Sequence, residues 1–342
     1  MIYQTSPIAI GSKIEFALPK TIVITGGTGS FGQAFARLLM TETPHHVRIF
    51  SRDEHKQEAM WSSCPPGPRL TYIIGDVRDR ERLEDAFDGA DAVVHAAALK
   101  IVRTGEVNTD EVMKTNILGS FNVVEAALAA NVRRTLLIST DKAVQPISDY
   151  GVSKAKAERL FIQANLKGVS RGCTFSVVRG GNIWASRGSV VERWHDTLRL
   201  GLPITVTDPS STRFHLPMLD WTRFCRRALD AMHGGEIFVP KARAWRLGDL
   251  AYAFTDANGV EPVGLRSGDK RHETLISEYE MERSRDVGWA HVIAPPDELR
   301  RVWNYREWEG RQLLSDAYTS EETVKVSTDE LIELIGETWP VS

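Results

Sequence analysis

The sequence predicts an α/β protein: a Rossmann-type, doubly wound parallel sheet followed by a smaller C-terminal substrate-binding lobe. Three observations predict it. Short apolar segments alternate with helix-length amphipathic ones through about residue 180, the pattern of a parallel sheet covered on both faces. The apolar segments, such as Thr21-Ile22-Val23-Ile24-Thr25, carry almost no charge, as strands buried on two sides require. A glycine-rich turn, Gly26-Gly27-Thr28-Gly29-Ser30-Phe31-Gly32, stands between the first strand and the first helix, where folds of this class hold a dinucleotide.

Thr21 to Thr25 reads as the first strand because it is a β-branched apolar run. Ser30 to Met40 reads as a helix, since Phe31, Ala34, Phe35 and Leu38 recur at helical spacing. Val47 to Phe50 is the second strand, and Asp53 to Trp61 a helix with an acidic first turn. Leu70 to Ile74, Ala92 to His95, Thr135 to Ser139 and Thr174 to Val178 are the next four strands. Between them lie helices over Asp79 to Phe87, Asp110 to Ala130 and Tyr150 to Ala164. Past Arg179 the helices shorten, and glycine, proline and tryptophan become more frequent. The division expected is an extension over 1–20, a dinucleotide-binding domain over 21–180, and a mainly substrate-binding lobe over 181–342 that covers the carboxyl edge of the sheet.

The chain of 342 residues is 42% hydrophobic and 25% charged, an ordinary globular composition with room for a sizeable core. A formal net charge of -3 gives no global basic field to attract nucleic acid. Three cysteines, Cys64, Cys173 and Cys225, make no disulfide framework and no metal-ligand spacing, which suits a reducing, cytoplasmic compartment. His95, His215 and His272 read as structural, so no metal is expected. No stretch approaches the length of a membrane span. Trp221, Trp245, Trp289, Trp303 and Trp308 read as core or interface side chains.

The glycine turn carries Gly26, Gly29 and Gly32 in the GxxGxxG form of the dinucleotide fingerprint. Glycine permits the tight turn and lets backbone approach a pyrophosphate. The helix amino end then aims its free N–H groups at the phosphates. Thr28, Ser30 and Phe31 belong to the same candidate site. Ser51-Arg52 ends the second strand where an acidic residue would select NAD. An arginine there accommodates a 2′-phosphate, with Lys56 as a second cation. The expectation is NADP ahead of NAD, Asp53 being the NAD-type acid if the register differs by one. Asp76-Val77, after the third strand, suits an adenine contact. Ala96-Ala97-Ala98, after the fourth, either lets backbone pass beside the cofactor or simply packs.

Tyr150-Gly151-Val152-Ser153-Lys154 is a Tyr-x-x-x-Lys pair. Positions i and i+4 share one helix face, and a lysine charge favours the phenolate. Upstream, Ser139-Thr140-Asp141-Lys142-Ala143-Val144 sits at the carboxyl end of the fifth strand, the edge where open α/β sheets bind ligands. A hydroxyl, a carboxyl and an amine in succession exceed what simple hydride transfer needs.

At these residues the chain resembles the extended short-chain dehydrogenases/reductases, and among them the inverting UDP-N-acetylglucosamine 4,6-dehydratases. Thr140-Asp141-Lys142-Ala143-Val144 and Tyr150-Gly151-Val152-Ser153-Lys154 carry the resemblance. So do Ser51-Arg52-Asp53-Glu54, Gly75-Asp76-Val77-Arg78-Asp79, His95-Ala96-Ala97-Ala98-Leu99-Lys100 and Lys114-Thr115-Asn116. It continues with Ser186-Arg187-Gly188-Ser189-Val190, Thr212-Arg213-Phe214, Gly235 to Lys241 and Gly268 to Leu275. The resemblance implies a redox-neutral hydro-lyase on a nucleotide sugar, forming a 4-keto-6-deoxy product. Tyr150, supported by Lys154 and Thr140, takes the 4-hydroxyl proton. Lys142, made neutral by burial near Lys154, removes the C5 proton, and a protonated Asp141 serves the departing 6-hydroxyl. C5 inverts if the proton returns to the opposite face. An epimerase, a 5,6-dehydratase, a ketoreductase or a non-catalytic NADP sensor of the same fold are the competing readings. Tyr150 separates the chain from membrane-anchored relatives, which carry methionine there.

The resemblance also implies cofactor contacts from Tyr150, Lys154 and Ile183, substrate contacts from Lys100, Asn182, Arg187, Arg213, Arg266 and Asp269, and assembly into a homo-oligomer. Arginine forks suit the two phosphates of a uridine diphosphate. The chain departs from the family pattern at Ile101-Val102-Arg103, at Gly180, at Trp184-Ala185, at His215 and at Ser267-Gly268-Asp269. Two readings stay open there: compensating packing, or a different sugar, base or outcome.

Overall fold

The computed structural model describes residues 21–255, 259–303, 305–306, 308–313 and 316–339. The expected extension over 1–20 lies outside the described residues.

The first half follows the predicted alternation. It runs β1 (Thr21–Thr25), α1 (Ser30–Glu42), β2 (His46–Ser51), α2 (Glu54–Ser63), β3 (Leu70–Ile74), α3 (Arg80–Phe87) and β4 (Ala92–His95). Two short helices, α4 (Val102–Glu106) and α5 (Thr109–Val112), lead through a π-helical stretch at Met113–Leu118 into α6 (Gly119–Ala129). Then come β5 (Arg134–Thr140), a 3₁₀ turn at Asp141–Ala143, α7 (Asp149–Gly168) and β6 (Thr174–Gly180). These strands pair in parallel in the order β3-β2-β1-β4-β5-β6. The order reverses between β1 and β4, and such a switch point opens a ligand crevice at the strands' carboxyl ends.

The helix expected over Asp110 to Ala130 is interrupted by the π stretch. The irregular turn buries Thr115 and Asn116. Asn116 then grips Leu99, its Oδ1 accepting from the backbone N at 2.8 Å and its Nδ2 donating to the carbonyl at 3.0 Å. Nδ2 also donates to Ser153 Oγ at 2.9 Å. One side chain thus ties the segment after β4 to the middle of α7, which helical periodicity alone does not reveal.

The second half supplies β7 (Asn182–Ile183), α8 (Val190–Arg199), β8 (Ile204–Val206), β9 (Thr212–Leu216), α9 (Met218–Ala231), β10 (Ile237–Val239), β11 (Arg243–Arg246), α10 (Leu247–Phe254) and β12 (Val260–Pro262). It continues with β13 (Thr274–Ile276), α11 (Glu278–Met281), β14 (Ser284–Asp286), β15 (His291–Ile293), α12 (Asp297–Trp303), β16 (Arg311–Gln312), β17 (Tyr318–Thr319) and α13 (Thr328–Thr338). β10 extends the large sheet beside β6 in parallel, and β15, β14 and β16 add an antiparallel edge. β7, β9 and β11 form a separate three-stranded sheet. The main core lies on both faces of the large sheet. A second core gathers Val191, Trp194, Ile204, Val206, Trp245, Leu250 and Leu331 in the lobe. Trp221 and Trp245 are buried, and Trp289 and Trp308 pack on Phe238. The Trp303 side chain lies outside the described residues. Among the described residues no helix is long and apolar enough to cross a membrane, and no group of side chains has the make-up of a metal site.

Candidate active site

The glycine turn packs against the strand end it was expected to serve. Gly26 has φ +68°, and a Cβ there would lie 2.7 Å from the Ala97 backbone. Only glycine fits that left-handed, crowded position. Gly32 is equally constrained, since its Cβ would meet the Gly27 backbone at 2.5 Å. Gly29 caps α1 without a side-chain bond, so the helix amino end is open to an anion. Ser30 Oγ accepts from the Arg187 backbone N at 3.0 Å. Phe31 stacks on Phe35 with ring centroids 5.4 Å apart. Ala96 N bonds the Thr25 carbonyl at 3.1 Å, and Ala98 and Ile183 are half-buried nearby in the fold.

At the end of β2, Thr28 Oγ1 and Ser51 Oγ are 2.8 Å apart. Arg52 is exposed, with Asp76 Oδ2 3.6 Å away. Asp53 is the N-cap of α2: its Oδ1 accepts from Lys56 N at 3.0 Å, and its Oδ2 pairs with Lys56 Nζ at 2.5 Å. Its carboxylate is therefore committed locally. Asp76 also pairs with Arg78 at 2.7 Å, and Val77 is buried against Gly119.

The catalytic candidates converge. Thr140 ends β5 and caps the 3₁₀ turn, so Asp141 and Lys142 leave the sheet at its carboxyl edge. Ser148 caps α7 by accepting from Gly151 N at 3.1 Å. A Cβ at Gly151 would collide with the Lys142 carbonyl, so glycine lets the turn press onto the first turn of α7. Tyr150 comes next to Thr140, which hydrogen-bonds its phenol. Thr140 Oγ1 also donates to Asp141 Oδ1 at 2.8 Å, and Lys142 Nζ donates to the same oxygen at 3.1 Å. Lys154 Nζ donates to the Ile138 carbonyl at 2.7 Å.

Two expectations about charge need correction. Lys142 was expected to be neutralised by burial near Lys154. Burial does oppose its charge, but the carboxylates of Asp141 and of Glu273, the latter 3.0 Å away, outweigh it and raise its pKa. Lys154 was expected to be the cation acting on Tyr150. Burial instead pushes Lys154 down to about 8, against the pull of Glu158, and pushes the Tyr150 phenol up to about 12. The cation favouring the phenolate is Lys142. Burial likewise raises the Asp141 carboxyl, whose Oδ2 has no hydrogen-bond partner among the described residues.

Glu273 was not among the predicted site residues. It precedes β13, is 2% exposed, and faces Arg213 Nε at 3.8 Å as well as Lys142. The only sequence signal was its place inside a block similar to the family. Arg213, expected on substrate, spends its donors on the carbonyls of Thr212, Lys270 and Arg271 at 2.7 to 2.9 Å. It braces the segment that carries Glu273. Asn182 Oδ1 is buried without a partner among the described residues. Lys100 and Arg187 are exposed, and Lys100 has Glu192 and Arg187 as charged neighbours. Arg266 is exposed, and its carbonyl accepts from Asp269 N at 3.1 Å. Arg193, absent from the predicted set, is a charged neighbour of that pair and of Arg103.

Comparison with known proteins gives this arrangement a lineage. The family model described as "Polysaccharide biosynthesis protein" matches residues 22–295. The chain belongs to that family. It is an extended short-chain dehydrogenase/reductase. Among relatives, the chain is 39% identical over 326 residues to a UDP-glucose 4-epimerase of Rickettsia bellii, covering 92% of this chain and 95% of that one. It is also 39% identical over 278 residues to an inverting UDP-N-acetylglucosamine 4,6-dehydratase of Campylobacter jejuni, covering 81% and 83%. The X-ray structure of Pen from Bacillus thuringiensis superposes with a TM-score of 0.85 at 31% identity, over 93% of this chain and 98% of that one.

Two of the positions where the sequence departs from the dehydratase pattern it resembles meet in space: the Trp184 and His215 rings are 5.4 Å apart, edge to face. The Trp184 indole donates to Thr338 Oγ1 of α13 at 2.9 Å. At Gly180, another such position, a Cβ would meet the Trp221 ring at 2.7 Å.

Proposed function

We propose that the chain is an NADP-dependent nucleotide-sugar 4,6-dehydratase, acting on UDP-N-acetylglucosamine or a close analogue. The observation that carries the reading is the Asp141–Lys142 contact of 3.1 Å next to Tyr150. It supplies an acid and a base beyond the tyrosine–lysine pair. The identity to the Campylobacter dehydratase supports it.

The crevice fits a dinucleotide: the left-handed Gly26 and the open amino end of α1 form a cradle that a side chain would fill. Gly26 to Gly32 would hold the pyrophosphate, and Asp76 and Val77 the adenine. Ala96 to Ala98, Ile183, Tyr150 and Lys154 would flank the nicotinamide. Thr28, Ser51, Arg52 and Lys56 would surround the adenosine ribose. Because Asp53 is committed as an N-cap and to Lys56, the exposed Arg52, 3.6 Å from Asp76, favours a 2′-phosphate. When bound, the dinucleotide supplies a reversible hydride acceptor.

The chain's own groups supply the proton transfers. Tyr150, reacting as the phenolate that the Lys142 charge favours, takes the sugar 4-hydroxyl proton as C4 becomes a ketone, which acidifies the neighbouring C5 proton. Moving one proton from Lys142 Nζ to Asp141 Oδ1 converts the resting ion pair into a neutral base and a neutral acid. Lys142 then removes the C5 proton while Asp141 protonates the departing 6-hydroxyl, which leaves as water. That elimination regenerates the ion pair. Lys142 returns a proton to C5, where C6 would take back the hydride given up by C4, with inversion at C5 if the proton arrives on the opposite face. The proton held by Tyr150 passes through the Thr140 hydroxyl to Asp141, which restores the phenolate, and its transfer on to Lys142 restores the resting ion pair.

Lys100, Arg103, Arg187, Arg193 and Arg266 form the cationic surroundings that a nucleoside diphosphate requires, with Asn182 and Asp269 as polar contacts. Exposed apolar side chains on adjacent helices, Met113, Leu118 and Phe121 before and in α6 and Val152 in α7, support a homo-oligomer. The 39% identity to Rickettsia 4-epimerases favours a second reading, epimerisation at C4. That reaction leaves Asp141 and Lys142 without work. Lys142→Met is expected to lower water loss from UDP-N-acetylglucosamine by roughly 10²-fold or more with NADP affinity unchanged. Unchanged dehydration by the variant, or an isomer of unchanged mass from the wild type, contradicts the proposal.

A further inference from the structure

We propose that Glu273 is a positioning residue for Lys142: its carboxylate fixes Nζ beside Asp141 and keeps the amine protonated in the resting site. The purpose of this arrangement rests on the dehydratase reading, in which Lys142 is the C5 base.

Lys142 Nζ is held between two carboxylates, 3.1 Å from Asp141 Oδ1 and 3.0 Å from Glu273 Oε1. A lysine amine is a point charge on a flexible stem, so one anchor leaves its direction free and a second one fixes it. Glu273 is built into place. Its backbone N donates to Ser320 Oγ at 2.9 Å, its carbonyl accepts from Ser320 N at 2.8 Å, and Arg213 grips the two carbonyls before His272. Its Oε2 has no partner among the described residues. A buried carboxylate in that state persists only with cations around it.

The charged and titratable groups facing Lys142 come from four elements. Asp141 lies on its own turn, Glu273 and Lys270 on the segment before β13, Arg213 on β9 and Tyr150 on α7. Lys270 Nζ is itself engaged by the Val144 carbonyl at 2.5 Å. Removing the Glu273 charge leaves Asp141 as the sole anion against Arg213 and Lys270. The proton on Lys142 then leaves more easily, and Nζ loses its second anchor. With Glu273 in place, an unprotonated amine does not arise beside Tyr150 before the substrate is bound.

Trace acetylation with acetic anhydride tests this on the full-length protein without substrate. Only unprotonated amine reacts, and mass spectrometry of the Lys142 peptide reads the rate. The Lys142 side chain is 26% exposed, so the reagent reaches it, and exposed Lys156 serves as the internal reference. Glu273→Gln is expected to raise the Lys142 rate at neutral pH about tenfold or more, the equivalent of one pKa unit. Glu273→Asp, which keeps the charge, is expected to restore the slow rate. In the wild type alone, the Lys142 rate is expected to keep climbing at a pH where that of Lys156 has levelled. Equal Lys142 rates in the wild type and Glu273→Gln overturn the proposal. So does a wild-type midpoint at or below that of Lys156, a result that stands even if the variants do not fold. No sugar chemistry enters this assay, so failure of the dehydratase reading appears separately, as an intact nucleotide sugar.

Discussion

Arg52 and Asp53 are neighbours with opposite fates. Asp53 spends both carboxylate oxygens on Lys56, one on its backbone N and one on its Nζ. Arg52 keeps an exposed guanidinium whose nearest acid, Asp76, is 3.6 Å away. Arg52→Ala is expected to weaken NADP binding about tenfold or more, on the order of 1.4 kcal/mol, with a smaller effect on NAD. Titration of the protein with each dinucleotide checks this; equal losses for both would remove Arg52 from the 2′-phosphate. At this scale the sequence was most legible where chemistry is contiguous. Thr140, Asp141 and Lys142 are consecutive, and Tyr150 and Lys154 share one helix face, so their convergence follows from local geometry. Glu273 was hidden because it reaches Lys142 from the far end of the chain, through pairing of the lobe rather than through spacing. The charge state of Lys142 was misread for the same reason: burial could be anticipated, the second carboxylate could not.

At the scale of elements, the strands of the first half were legible because a strand buried on both faces is apolar throughout. β1, β3 and β4 run over the expected residues. The π stretch in Met113–Leu118 was not, since it depends on Asn116 finding Leu99 and Ser153. The short strands of the lobe were not either, because runs of two to five residues carry no clear period. The Trp184–His215 contact couples two of them. His215→Trp alone is expected to overpack that contact and cost about 1–3 kcal/mol. Adding Trp184→Ala is expected to recover much of the loss, because the two side chains share one space. Urea unfolding of both single variants and the double variant measures the coupling; additive losses would mean that the two departures do not compensate.

At the scale of the whole molecule, a buried ion network joins the halves. Arg179 on β6 pairs with Glu158 on α7 at 2.7 Å and with Glu280 on α11 at 3.0 Å, and it donates to the Leu275 carbonyl at 2.8 Å. Glu158 also accepts from Ser139 Oγ at 2.6 Å. The network therefore touches β5 and α7, which carry the proposed catalytic side chains, and β13, which follows Glu273. Burial opposes the Glu280 charge, but Arg179 outweighs it and holds the carboxyl down at about 2. A depressed carboxyl gives stability that is complete above its unfolded value and lost as pH falls through its folded one. Glu280 thus contributes on the order of 3 kcal/mol at neutral pH, lost between the ordinary glutamate range and about pH 2. Arg179→Met leaves the buried Glu158 without its paired cation and Glu280 with only Arg283, 3.8 Å away, and is expected to cost roughly 3–5 kcal/mol at pH 7. The cost should shrink in acid. Denaturant midpoints at pH 7 and pH 3 check both statements, and an equal cost at the two pH values would contradict this account of the network.

The central claim is that Lys142 and Asp141 carry out an elimination within a redox-neutral cycle. The most direct measurement is mass spectrometry of UDP-N-acetylglucosamine incubated with the protein and NADP in deuterated water. The account predicts loss of one water, deuterium incorporated at C5, and no net change in the cofactor. NADP binding with the sugar returned intact, or converted to an isomer of the same mass, would contradict it.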